Sequence, residues 1–153
     1  MTSKTLKSLA LILLFTTLNI ISAWGAEGDS HDVTSGNTRE VLLNGGADID
    51  PILITGLTYS VKEVQVTCNY NKSTDGVTVS CTVNGSAFGS AQTIKTKTTT
   101  TFKFSGTSTT GDVKISFVNN TTASSGMGTF KVTAVNLIEG AGGGSGSTKY
   151  TVV

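Results

Sequence analysis

The sequence has little proline, histidine and charge, and each shortage excludes a class of protein. Of 153 residues, one is proline, Pro51, and one is histidine, His31. The single proline argues against a proline-rich disordered linker. The single histidine argues against an enzyme, because a nucleophilic cysteine needs a nearby base and a zinc site needs several ligands. Charged residues make up 14% of the chain and the formal net charge is +1, so we expect no nucleic acid as a partner.

The amino terminus has the pattern of an export signal. Lys4 and Lys7 precede an apolar stretch, Leu9–Ile21, and small residues follow it. This stretch is shorter than the roughly 20 residues that a membrane-spanning helix needs. We therefore expect residues 1–25 to be a cleaved signal peptide. The mature chain would then be secreted, or held at the cell surface, without a membrane span.

Alternation of apolar and polar residues, the period of a β-strand, runs through most of the remaining chain. Residues 26–38 show no apolar periodicity, so we expect a flexible lead there. Residues 39–140 contain alternating runs separated by turns rich in Asn and Gly, without helical spacing. The predicted strands are Glu40–Leu43, Ile52–Thr55, Ser60–Tyr70, Val77–Val83, Ser86–Ile94, Thr99–Phe104, Asp112–Val118 and Thr129–Ile138. About eight or nine short strands predict an all-β fold, an antiparallel two-sheet β-sandwich with a jelly-roll-like order.

The carboxyl-terminal segment, residues 141–153, combines a tether with a strand-like end. Ala141–Ser147 is rich in glycine and serine, and Thr148–Val153 alternates weakly. This tail could pair with its own sheet, fray, or complete the sheet of another subunit. Self-association through the tail is therefore one of the interactions that the sequence allows.

The two cysteines, Cys68 and Cys81, lie in neighbouring alternating runs. If Val66, Cys68 and Tyr70 face the interior, a hairpin closed by Ser73–Gly76 places Cys68 directly opposite Cys81. The β-carbons of directly opposed residues are about 4.5–5.5 Å apart, near disulfide geometry. In an oxidising compartment we expect a Cys68–Cys81 disulfide, and the alternative is two buried free thiols.

An acidic loop is the one candidate metal site. Asp48 and Asp50 lie two residues apart just before Pro51, where backbone carbonyls could complete a calcium site. Asp-x-Asp before proline is also ordinary turn chemistry. Apart from calcium, we expect no cofactor.

Three lysines and one tyrosine are the candidate binding residues. Lys103, Lys114 and Lys131 each stand between two apolar residues of a strand, so the two-residue period turns them outward. They could form a basic patch for an anionic surface, or simply keep the sheets soluble and protect their edges. A carbohydrate site would depend mainly on Tyr59 beside faces rich in Thr and Asn.

Five segments between residues 60 and 139 consist of strand and turn patterns: SVKEVQVTCNYN, GVTVSCTVNGSAFGSAQTI, TFKFSG, GDVKISFVN and GTFKVTAVNLIEG. They resemble the small Thr/Ser/Gly-rich β-sandwich modules of secreted Bacteroidetes-type bacterial proteins, which often accompany a catalytic or adhesive domain. The resemblance implies export and a β-sandwich, and it implies no catalytic residue.

These features predict a secreted, non-enzymatic β-sandwich that acts as an adhesive or binding module. Its partner would be an extracellular glycan or a protein surface. The alternative is a structural, pilin-like subunit whose terminal strand, Thr148–Val153, completes a neighbouring subunit.

Overall fold

The computed structural model describes residues 26–122 and 127–141 of the chain. These residues form ten strands and no helix, so none of them builds a helix that could cross a membrane. The strands are β1 (Ser30–Asp32), β2 (Arg39–Leu43), β3 (Ile52–Ile54), β4 (Val61–Tyr70), β5 (Val77–Val83), β6 (Ser86–Ala87), β7 (Gln92–Ile94), β8 (Thr98–Thr109), β9 (Val113–Asn119) and β10 (Gly128–Glu139). The predicted all-β class is confirmed. The predicted signal peptide, 1–25, and most of the predicted tether and tail, 142–153, lie outside the described residues.

Two five-stranded antiparallel sheets pack face to face. In sheet A, β10 lies between β4 and the pair β1 and β2, and β8 follows β4. In sheet B, β9 lies between β3 and β5, and β6 and β7 both pair with the far side of β5. The pairing is nested along the chain, since β2 joins β10, β3 joins β9, β4 joins β8 and β5 joins β7. This nested order is that of a jelly roll, as the sequence predicted.

Alternate residues of the long strands face the interior between the sheets. In β5, buried and half-buried positions alternate along Val77–Val83. Tyr70, Phe104 and Phe130, from three strands of sheet A, are among the largest fully buried side chains. Phe130 meets Phe117 of sheet B edge to face, with ring centroids 5.6 Å apart. Burying each such ring contributes about 1.5–3 kcal/mol, which makes this interior the main source of stability.

The connection between β4 and β5 is not the predicted hairpin, because the two strands lie in different sheets. Cys68 pairs with Val132 and Thr100 within sheet A. Cys81 pairs with Ile115 within sheet B. The predicted register that placed Cys68 opposite Cys81 is therefore wrong. Every strand of a sandwich turns one face to the same interior, so alternation alone does not identify its neighbour.

Two turns with positive φ angles illustrate the same ambiguity. Asn84 and Gly85, with φ angles of 50° and 77°, close the tight hairpin between β5 and β6, as predicted. Asp75 and Gly76, with φ angles of 55° and 70°, belong to the crossover from sheet A to sheet B. The same dipeptide chemistry therefore serves a hairpin in one place and a crossover in the other.

Part of the predicted flexible lead, residues 26–38, is an edge strand. Its strand β1 pairs with the last residues of β10. Gly28 N donates to the Glu139 carbonyl at 2.8 Å, and Val33 N donates to the Val135 carbonyl at 3.0 Å. Val33 also packs against the core. An edge strand needs backbone bonds more than apolar side chains, so a polar segment can join a sheet without showing apolar periodicity.

The predicted strand Ser86–Ile94 is interrupted in the structure. Phe88 leaves the strand and is buried, and its N–H donates to the Cys81 carbonyl at 2.9 Å. Gly106 of β8 lies against the Phe88 ring, where a β-carbon would clash. The interruption therefore places an aromatic side chain from the β6–β7 connection of sheet B against strand β8 of sheet A.

Candidate functional site

The three predicted binding lysines do not form one patch. Lys103 on β8 and Lys131 on β10 belong to sheet A, whereas Lys114 on β9 belongs to sheet B. Lys131 Nζ is 2.8 Å from Glu40 Oε1, so its charge has a partner on the neighbouring strand. The lysines are thus divided between the two layers of the sandwich, where they cannot contact one ligand together.

Tyr59 and Glu139 both contact His31 and hold β1 against the sandwich. The Tyr59 ring stacks on His31 with a centroid distance of 4.0 Å and an interplanar angle of 14°. His31 Nε2 lies 2.9 Å from Oε2 of Glu139, a residue that is 8% exposed. Burial raises the pKa of Tyr59, and the charge of Glu139 adds to this effect. His31 covers one face of the Tyr59 ring and the residue is half-buried against the core, so a binding role for Tyr59 stays a prediction.

Cys68 and Cys81 face the shared interior from opposite sheets. Both are buried, and both are free thiols in the structure. Burial raises the pKa of each thiol to about 12, so both stay protonated at neutral pH. Protonated, buried thiols are poor nucleophiles. The disulfide stays a prediction, but the hairpin register no longer supports it.

The acidic loop before β3 is tied down by hydrogen bonds from neighbouring side chains. Arg39 Nε donates to the Asp50 carbonyl at 3.1 Å, and Asn119 Nδ2 donates to the Ala47 carbonyl at 2.9 Å. These carbonyls belong to the set from which a calcium site with Asp48 and Asp50 would draw its ligands. Among residues 26–122 and 127–141, no three His, Cys, Asp or Glu side chains cluster as metal ligands do. Calcium at this loop stays a prediction.

Strand β9 is covered along only part of one side. On one side it pairs with β5 over its whole length, Val113–Asn119. On the other side the three residues of β3 pair only with Val113–Ile115. Within the part of the chain that the structure describes, the remaining residues, 116–119, therefore form an open edge of sheet B.

The hydrogen-bond pattern shows which backbone groups this edge presents. Asn120 N donates to the Gly76 carbonyl at 3.0 Å, continuing the ladder between β9 and β5. In an antiparallel ladder, successive residues point their N–H and C=O groups to opposite sides. Phe117 and Asn119 consequently direct both groups away from β5, to the side that β3 leaves uncovered.

A hollow of about 300 Å³ lies along this open edge, between Gly46–Ile49 and Phe117–Asn119. We call it the β9 slot. Asn119 Nδ2 bridges its walls by donating to the carbonyls of Asn44 and Ala47, at 3.1 and 2.9 Å. Asp48 is its acidic lining residue. The slot thus combines unpaired backbone groups, a fixed shape and one negative charge.

Two exposed apolar side chains lie on the strands beside the β9 slot. Val118 is 57% exposed and Leu53, on β3, is 59% exposed. Such side chains lose unfavourable contact with water when another strand covers them. Sequence reasoning found Asp48 but missed the slot. The only signal was the unequal length of the predicted strands Ile52–Thr55 and Asp112–Val118, which has no meaning until the two are known to be neighbours.

Comparisons with known proteins include a distant likeness to a solved structure. No family model matches the chain, and no curated protein matches it. A solved chain described as "Bacillus endospore appendages form a novel family of disulfide-linked pili" is similar to it at 16% sequence identity and a TM-score of 0.33. The match covers 75% of this chain and 95% of that chain. A likeness this distant assigns no family.

Proposed function

We propose that this protein is a non-enzymatic, extracellular structural subunit that assembles with copies of itself through an open edge of its β-sandwich. The observation that carries the proposal is the β9 edge, where Phe117 and Asn119 present backbone groups that no strand within residues 26–122 and 127–141 covers. Unpaired edges template pairing with another chain, and proteins that remain monomeric block them with lysine, proline or bulges. The segment 116–119 has none of these, and Val118 exposes apolar surface beside it.

The scattered positions of the predicted binding residues also favour assembly over a single-ligand site. A ligand site brings a few polar groups together in one concave place. Here Lys103 and Lys114 lie on different sheets, and His31 covers one face of the Tyr59 ring. The β9 slot is instead the place where shape, backbone groups and apolar surface coincide.

The proposal is tested by the mass of the exported chain in solution as its concentration rises. We expect light scattering after size exclusion to show association that grows with concentration, and electron microscopy to show ordered oligomers. Val118→Lys should weaken association, because a lysine beside the edge opposes pairing. Leu42→Lys is the matched control, since Leu42 is equally exposed, at 56%, but lies on β2 of sheet A. A chain that stays monomeric at every accessible concentration would refute the proposal.

A second candidate function, an adhesive or glycan-binding module, has one observation in its favour. On the outer face of sheet A, Thr67 Oγ1 and Thr101 Oγ1 are 2.9 Å apart, and Asn69 Nδ2 donates to Thr99 Oγ1 at 2.8 Å. This row of hydroxyl and amide groups offers hydrogen bonds of the kind that sugars use. A glycan array probed with and without calcium tests both the candidate and the predicted role of Asp48. A blank array under both conditions would remove this candidate.

A further inference from the structure

We infer that the β9 slot receives the segment Thr148–Val153 from a second copy of the chain, so that copies join head to tail. This inference rests on the proposed function and names the strand that fills the open edge. Phe117 and Asn119 present N–H and C=O groups two residues apart, which is the spacing of an added antiparallel strand. One added strand would pair with both residues.

The chain leaves the sandwich at the end that lies farthest from the slot. Gly140 N donates to the Ser60 carbonyl at 2.9 Å, and Ser60 Oγ donates to the Gly140 carbonyl at 3.1 Å. Ser108 Oγ donates to the Ala141 carbonyl at 3.2 Å. These bonds fix the exit point beside the last residue of β10, Glu139.

The slot lies beside the first residue of the same strand. Gly128, which begins β10, pairs with Leu43, and the carbonyl of the next residue, Asn44, accepts a bond from Nδ2 of Asn119, a residue that lines the slot. Because β10 is 12 residues long, its two ends are separated by about 37 Å. The exit and the slot are therefore at opposite ends of the molecule.

The tether is too short for the tail to fill the slot of its own subunit. From Ala141 to Thr148 the chain advances by seven residues, which span at most about 25 Å when fully extended. This reach is well below the separation of about 37 Å between the ends of β10. Only the slot of another copy is within reach. Each copy would then give a strand at one end and accept one at the other, and such a contact repeats into a filament unless it closes into a ring.

The chemistry of the tail complements that of the slot. Lys149 carries a positive charge, and Asp48 is the charged residue that lines the slot. In an extended segment Tyr150 and Val152 point to one side, where they can cover exposed apolar surface such as Val118. Strand addition gains affinity from backbone bonds and specificity from alternate side chains, and both are available here.

A proline scan of the tail tests the inference in the full-length exported chain. Thr151→Pro removes a backbone donor and should lower the association constant at least about tenfold. Ser145→Pro is the matched control, because the tether needs no backbone pairing. Both positions follow the last described strand, β10, in the sequence, and the melting temperature of each variant reports whether the domain is intact.

A charge exchange tests the partner of Lys149. Asp48→Lys and Lys149→Glu should each weaken association by about fivefold, and the double variant should recover most of the loss. Asp50→Lys is the control, since Asp50 is exposed in the same loop but does not line the slot. Failure of the double variant to recover would overturn the assigned pairing of the tail with the slot.

Hydrogen exchange distinguishes this inference from association through another edge. We expect the amides of Phe117 and Asn119 to gain protection as copies associate. Among the described strands, β8 pairs only with β4, so protection at Thr99 and Thr101 instead would place the contact on the free edge of β8. Association that survives Thr151→Pro, or that protects β8, would overturn the inference and leave the proposed function standing. Absence of any association would instead remove the proposed function.

Discussion

The buried thiols give the most direct test of the interior, because their chemistry differs sharply between the folded and the unfolded chain. Burial raises the pKa of Cys68 and of Cys81 from 9.0 to about 12. At pH 8 the thiolate fraction is then about one in ten thousand, whereas an unperturbed thiol is ionised to about one part in ten. Because the thiolate is the nucleophile, we expect alkylation of the folded chain to be slower by about a thousandfold from ionisation alone. Steric exclusion by the packed strands slows it further.

The assay treats the exported chain with iodoacetamide at pH 8, in buffer and in concentrated urea, and follows mass with time. In urea without reductant, free thiols take up two labels, whereas a Cys68–Cys81 disulfide allows none until it is reduced. The same experiment therefore tests the predicted disulfide. Labelling of the folded chain within a few-fold of the rate in urea would refute the assignment of both side chains to a closed interior.

Three other predictions concern stability. Gly76→Ala should lower the free energy of unfolding, measured by urea denaturation, by more than about 2 kcal/mol, because Gly76 has a φ of 70° and the Ile94 backbone lies where the new β-carbon would go. Gly85→Ala is the control: Gly85 has a φ of 77° but lies in open space, so the same measurement should show a loss of only about 1 kcal/mol. Glu139→Gln should destabilise the fold less than Glu139→Ala in the same assay, since the amide oxygen of the new glutamine still accepts a bond from His31. Equal losses of unfolding free energy in the two variants would show that this bond contributes nothing. In the reduced chain, the unfolded thiols ionise between pH 9 and about 12 while Cys68 and Cys81 of the folded chain stay protonated. The stability of the reduced chain should therefore fall as pH rises, by about 1.4 kcal/mol per pH unit for each thiol, which urea denaturation at each pH measures.

The sequence predicted which side chains are buried better than it predicted which strands are neighbours. The two-residue period correctly placed Cys68 and Cys81 in the interior. It could not tell whether β5 lies beside β4 or across the core from it, because both arrangements bury the same alternate residues. Asp75-Gly76 supplied the positive φ of a turn in either case. Pairing between distant strands is decided by the packing of the whole sandwich, which no local pattern records.

Features held by backbone bonds were the ones that the sequence concealed. Strand β1 joins β10 with the polar residues Ser30–Asp32, so it lacks the apolar alternation on which strand prediction depends. The β9 slot has the same origin, since it exists only because β3 is shorter than the strand that it covers. Asp48 was identified in its loop from composition. Its position beside an open strand edge depends on contacts between residues about 70 positions apart in the chain.

The nested strand order gives the proposed assembly a direction. In such an order the first strands run antiparallel to the last one, so the chain enters and leaves the domain at the same end. Gly28 N donates to the Glu139 carbonyl, which places both points together at the end of β10. A tail that starts there meets its own slot only by travelling the length of the sandwich, whereas the slot of a second copy can be brought directly to it. The head-to-tail polarity of the proposed assembly therefore follows from the fold and the short tether. The contact between Lys149 and Asp48 would affect only the association constant of the copies.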